Sequence, residues 1–183
     1  MWSYNEKDLA QEIGGGIYLS KSGCYSAIIK GIDHKETAHG AKQVVLSLDV
    51  EGSEMTIWHV YTDKQGKELD FKVRHLNHLL YLNKLTDPSK IKTLVGKSIG
   101  VFLKAKLSLD KKFINFDLEG FYHLGTKKTA KELRENLTAA VYEKMEKVYS
   151  EEKPLVREYE KSVQQQVEEN KKDVDFIDDE FPF

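Results

Sequence analysis

The chain has 183 residues, 40% of them apolar, with 28 basic and 30 acidic side chains and a single cysteine, Cys24. That length predicts one ordinary domain with an appendage, and no apolar run approaches the roughly 18 residues a membrane-spanning helix needs. One cysteine excludes a disulfide scaffold and a cysteine-built zinc site, which fits a reducing cytoplasm. The opening MWSYNEKDLAQEIGGG has neither the basic nor the apolar region of a secretory signal. The near-neutral total hides an asymmetry. Residues 1–128 hold 19 basic and 15 acidic side chains, a net of +4, and residues 129–183 hold 9 and 15, a net of −6. A mildly basic body with an acidic end predicts an anionic partner for the body and a tail that imitates it.

Gly14-Gly15-Gly16 forms a flexible break that closes an N-terminal segment, 1–16. GCYSAIIKGIDH is β-branched and aromatic, with Gly23 before it and Gly31 near its end, and predicts a first strand. HKETAHGAK is a polar loop. QVVLSLDVEG alternates, with Val44, Leu46, Leu48 and Val50 on one face. A tight turn, Glu51-Gly52-Ser53, joins it to a third strand, EMTIWHVYT. The parity of this strand is open: either Ile57, His59 and Tyr61 or Thr56, Trp58 and Val60 face inward. One of Trp58 and Tyr61 therefore belongs to the core.

After the turn DKQGK the period changes. In FKVRHLNHLLYLNKL, Leu76, Leu79, Leu80 and Asn83 fall at helical spacing, with Phe71, His75 and Leu82 nearby, and predict a helix over about 70–84 that Asp87-Pro88 closes. LVGKSIGVFLKAKLSL alternates again. Ile99, Val101, Leu103, Ala105 and Leu107 share one face; Phe102, Lys104 and Lys106 share the other. DKK turns the chain into a fifth strand, FINFDLEGFYHL. Three strands, one helix and two strands are the element order of the OB-fold, a five-stranded Greek-key barrel that often binds single-stranded nucleic acid. The fold class expected is mainly β with α, the barrel occupying residues 17–125.

A helical extension, 126–168, is expected next. Thr129 and Glu132 form a capping box. Leu133, Leu137, Ala140, Val141, Met145 and Val148 follow at helical spacing, Pro154 interrupts, and Val156, Tyr159, Val163 and Val167 resume. The stripe fits packing on the barrel or on another subunit. From Glu169 the chain is too polar to fold, so 169–183 reads as a disordered acidic tail.

Several catalytic motifs fail. VGKS resembles the end of a phosphate-binding loop, but that motif needs a glycine where Ile91 stands and a helix afterwards, and here a strand follows. His75 and His78 share a helix face without a third zinc ligand. No serine, acid or histidine lies in a nucleophile context. No enzyme, metal or cofactor is expected.

A single-strand binder needs cations for phosphates and flat rings for exposed bases. Lys30, Lys104 and Lys106 lie on predicted strands, and Lys42, Lys111 and Lys112 at strand ends or turns. Tyr25, Trp58, Tyr61, Phe102 and Phe113 are strand aromatics. Lysines on an outer strand face commonly only solubilise it, and strand aromatics are commonly core; the combination on this layout is what points to a strand-binding face.

The chain ends Asp178-Asp179-Glu180-Phe181-Pro182-Phe183. Acids, an apolar residue, proline and a terminal phenylalanine resemble the C-terminal tail of bacterial single-stranded-DNA-binding proteins. The body is similar to the phage-encoded single-stranded-DNA-binding family through GCYSAIIKG, LSLDVEG and LVGKSIGVFLKAKL, over roughly residues 14–125. The helical stretch 129–168 departs from the simple linker of those proteins and leaves subunit number open. The resemblance implies sequence-tolerant binding of single-stranded DNA, with RNA as an open alternative. It also implies recruitment of replication, recombination or repair proteins through the tail in the cytoplasm of an infected bacterium. Phe183 would enter an apolar pocket while its carboxylate meets a basic rim. Two rivals stand beside it: a protein-interaction module oligomerised by the C-terminal helices, and a recombination or annealing factor.

Overall fold

The alternating run Lys42–Val50 forms a strand, β2, that turns Val44, Leu46, Leu48 and Val50 into the core, each nearly inaccessible. In this computed structural model, which describes residues 19–158 and 160–161, β2 lies inside a five-stranded antiparallel sheet. The other strands are β1 (Gly23–Glu36), β3 (Ser53–Val60), β4 (Ser98–Leu107) and β5 (Ile114–Tyr122), and the order is β3-β2-β1-β4-β5. The N-terminal segment, Tyr159, Val163, Val167 and the acidic tail lie outside the described residues.

Fourteen residues long, β1 serves two partners: residues 23–28 pair with β4 and residues 27–36 with β2. Between them Ile29 pairs with Leu48 and Gly31 with Ser47, so Lys30 is an extra residue in the ladder. Such a bulge bends the strand and sharpens its twist, letting one strand curve between two neighbours. At the β2–β3 turn Val50 pairs with Ser53, leaving Glu51 and Gly52 at φ of 51° and 88°. Two left-handed residues make the turn whose twist matches the flanking strands. The Asp49 Oδ1 carboxylate oxygen accepts from the Gly52 N–H at 2.9 Å.

Helix α1, Asp70–Leu82, follows β3 and buries Leu79, Leu80 and Leu82. The Asp87-Pro88 closure holds more structure than a loop. A 3-10 helix spans Pro88–Leu94, its first N–H groups capped by Asp87, and buries Ile91 and Leu94. Beyond it VGKS is the expected turn into a strand: Gly96 sits at φ 87° and donates its N–H to the Ile29 carbonyl at 2.7 Å.

The capping box at Thr129 and Glu132 forms, but the helix it starts, α2 (Ala130–Arg134), is short. Asn136 at φ 53° breaks the chain, and α3 (Ala140–Glu151) resumes. Buried Glu132 holds the junction: one carboxylate oxygen accepts from the Thr129 N–H and the other from the Val141 N–H, both at 2.8 Å. The predicted stripe packs in part: Leu133 joins the main core and Met145 the outer cluster, where two tyrosines from outside the stripe accompany it. Leu137, Val141 and Val148 are exposed, while Tyr142, Met145 and Tyr149 pack against Cys24, Phe102 and Tyr122 on the outer surface of the sheet. The reason is the shape of that surface. A Cβ at Gly100 would lie 2.3 Å from the Tyr122 ring, so the glycine lets the ring lie flat on the sheet. Tyr122 then offers stacking partners at 4.9 Å (Phe102) and 5.0 Å (Tyr142). Aromatic partners bury more area than the valines would. The Tyr149 hydroxyl donates to Glu119, and Lys104 pairs with Glu152 at the end of α3. No helix among the described residues is long and apolar enough to cross a membrane.

Candidate nucleic-acid interface

The open parity of the third strand has an answer. Ile57 and His59 are buried, Tyr61 is half-buried against the core, and Trp58 is 56% exposed on the outward face of edge strand β3. The Lys35 ammonium lies 5.4 Å from the Trp58 ring centroid, within cation–π range. Between edge strands β3 and β5 runs a polar groove of about 440 Å³, whose walls include Thr56, Trp58, Lys72, Lys106, Asn115 and Asp117. Phe71, beside Lys72 at the start of α1, is also 56% exposed, with the Lys72 ammonium 5.1 Å from its ring. Lys106 binds both Asp117 oxygens, at 2.6 and 2.8 Å. Both partners are about half exposed, so this pair contributes little and a phosphate can exchange with the carboxylate.

His59 ties the groove wall to the helix. Its Nε2–H donates to the Lys72 carbonyl at 2.8 Å, pinning the first turn of α1 to β3. That bond fixes the His59 tautomer and leaves its buried Nδ1 without a hydrogen-bond partner; the buried Nδ1 of His75, whose ring centroid lies 5.7 Å away, has none either. Burial lowers the pKa of His59. His75 is pushed down to about 4, by burial first and then by the neighbouring His59 and Lys72. Both rings are neutral at pH 7. Among the described residues, no group of three or more His, Cys, Asp or Glu side chains could hold a metal.

The other predicted residues scatter. Lys30 sits exposed on the β1 bulge, 4.0 Å from Asp49. Lys42 is exposed at the start of β2. Tyr25 is half-buried against the core, and its hydroxyl, its pKa raised by burial, donates to the Lys21 carbonyl at 2.6 Å. Phe102 has the outward parity read from the sequence, but α3 covers it to 3% exposure. Lys104 is engaged with Glu152 beside it. Lys111, Lys112 and Phe113 lie at the β4–β5 hairpin tip with fully exposed Leu109. Of the residues predicted, the groove gathers Trp58 and Lys106.

Lys35, Lys72 and Phe71 were missed. HKETAHGAK reads as a loop, yet β1 runs on through Glu36 and carries Lys35. Phe71 has helical spacing with His75, which places it near the core on paper; as the second residue of α1 it stands clear of it.

A larger cleft of about 720 Å³ lies at the ends of the two hairpins. Leu19, Met55, Phe113, Phe116, Leu155 and Arg157 are among its walls. No family model and no curated protein matches the chain.

Proposed function

We propose that this is a non-enzymatic, sequence-tolerant single-stranded-DNA-binding protein with an OB-like body. The strand layout supports that body: β1 pairs with both β2 and β4, and the outer strands β3 and β5 share a groove with a helix inserted between β3 and β4. The observation that carries the reading is Trp58. A large indole half in water on an edge strand, with Lys35 over its ring and Lys72 and Lys106 lining the same groove, offers a stacking face beside cations. Unpaired bases supply the flat faces and phosphates the charge, and neither demands a particular sequence. Under this reading the acidic residues Asp178 to Glu180 steer the tail to basic partners, and Phe181, Pro182 and Phe183 dock on replication or recombination proteins.

Titrating labelled oligo-dT at several salt concentrations tests the proposal. Binding that weakens steeply with salt supports it, and no binding at low salt removes it. A parallel oligo-U series settles DNA against RNA. The exposed apolar side chains of α3, Val141 and Val148, favour a second reading, a protein-interaction module oligomerised by its C-terminal helices. Indifference to nucleic acid, with self-association lost on Val141→Asp and Val148→Asp substitution, is the result that would select it.

A further inference from the structure

Along the exposed side of α1, Phe71, Arg74, His78 and Tyr81 recur at helical spacing and form one stripe. It begins beside Lys72 at the β3–β5 groove and runs about 15 Å, ten residues at about 1.5 Å each. At its far end Tyr81, 45% exposed, and Arg74 meet Lys131 and Arg134 of α2 across a cleft of about 450 Å³. Glu135 is the one acid among the described residues lining that cleft. Arg74, Lys131 and Arg134 have no ion-pair partner among the described residues. Three cations from two helices face one carboxylate in this cleft, and a polyanion relieves the excess positive charge. Two of them are guanidinium groups, whose planar forks match phosphate oxygens. Tyr81 adds a ring at the rim, the same pairing of flat face and cation as at Trp58.

We propose that the α1–α2 cleft is a second phosphate-binding segment, which takes the backbone of the same DNA strand whose bases stack at Trp58 and Phe71. The strand leaves the β3–β5 groove at Phe71, follows the α1 stripe and is held by Arg74, Lys131 and Arg134. This rests on the strand-binding reading, and it lengthens the site beyond the sheet. Charge complementarity selects an anionic chain, since a neutral peptide gains nothing from three cations, and under the strand-binding reading the groove brings a DNA backbone to one end of the stripe.

The test uses the full chain with Trp2→Phe, which leaves Trp58 as the single indole reporter. A short oligo-dT of about 4 nucleotides, the lower end of the span one such fold covers and too short to occupy both the groove and the cleft, is compared with a long one. Arg74→Gln, Lys131→Gln and Arg134→Gln are combined in one variant, and a thermal melt checks its fold. At about 0.7 counterions released per phosphate on single strands, losing three contacts reduces the salt slope for the long strand by about 2, so the variant loses roughly 20-fold less affinity than the parent between 50 and 200 mM salt. Quenching of Trp58 by the short strand stays as in the parent. An unchanged long-strand slope overturns the inference and leaves the sheet reading intact. Loss of short-strand quenching overturns it too, because the cleft is then part of the primary site. A parent that binds neither strand overturns both.

Discussion

Trp58 and Phe102 make opposite predictions although both have outward strand parity. Trp58 is a little less than half covered. A fully enclosed aromatic buries up to about 250 Å², so roughly 110 Å² is at stake, and at about 25 cal/mol per Å² its removal costs at most about 2–3 kcal/mol of stability. Trp58→Leu keeps much of that contact and stays folded, but removes the ring on which the proposed function stacks a base. Stacking is worth about 1–3 kcal/mol per base, so strand affinity should fall by roughly 5- to 150-fold. Phe102→Leu does the reverse. Its ring is sealed between Tyr122 and α3, so the variant should lose about 1–2 kcal/mol of stability, as reshaped aromatic packing does, and keep its affinity. Fluorescence anisotropy with labelled oligo-dT and urea melts on the same samples read both effects. If Trp58→Leu binds like the parent, or if Phe102→Leu weakens binding at unchanged stability, the assignment of the outer face is wrong.

Acid should destabilise the fold through the His59–His75 pair. Both pKa values lie below their unfolded values, so the unfolded chain binds protons first, and stability present above about pH 6.5 is lost as pH falls towards 4; thermal melts across that window should show the loss, and His75→Leu should flatten it. Glu132→Ala leaves the Thr129 side-chain cap but removes the carboxylate that accepts from the Thr129 and Val141 N–H groups, costing about 2–3 kcal/mol and raising hydrogen exchange at 130–145; an exchange pattern unchanged from the parent would contradict that role. Gly100→Ala should cost about 2–3 kcal/mol, because the new methyl meets the buried Tyr122 ring, and near-ultraviolet circular dichroism should register the disturbed aromatic cluster.

What the sequence disclosed, and what it withheld, follows from the range of each signal. The clean alternation of β2 and the core parity of β4 are local, and Val44, Leu46, Leu48, Val50, Ile99, Val101, Leu103 and Ala105 all face inward as read. The capping box is local too, and Thr129 makes it. Parity on β3 was undecidable because each face offered one large aromatic. The decision came from His59, whose Nε2–H needs an acceptor when buried and finds the Lys72 carbonyl thirteen residues away on α1. No window of sequence contains that pairing. The 3-10 helix escaped notice because Ile91 and Leu94, three apart, are too short a run to show a period.

Phe102 and Lys104 carry the larger lesson. Their alternation marked them as outward, and outward they are, but alternation reports only which side of one sheet a residue leaves. It does not report what later covers that side. Gly100 and Tyr122 flatten the surface there, and α3 descends with Tyr142, Met145 and Tyr149 to seal Phe102 while Glu152 takes Lys104. No element lies over the outward face of β3 among the described residues, so Trp58 stays open. The same residue pattern, aromatic and lysine on an outer strand, is therefore consumed by tertiary packing at one end of the sheet and left uncovered at the other. Among the described residues the large aromatic rings left uncovered are Trp58, Phe71, Tyr81 and Phe113, and of these Trp58 and Phe71 stand at the β3–β5 groove, on its wall and beside its Lys72.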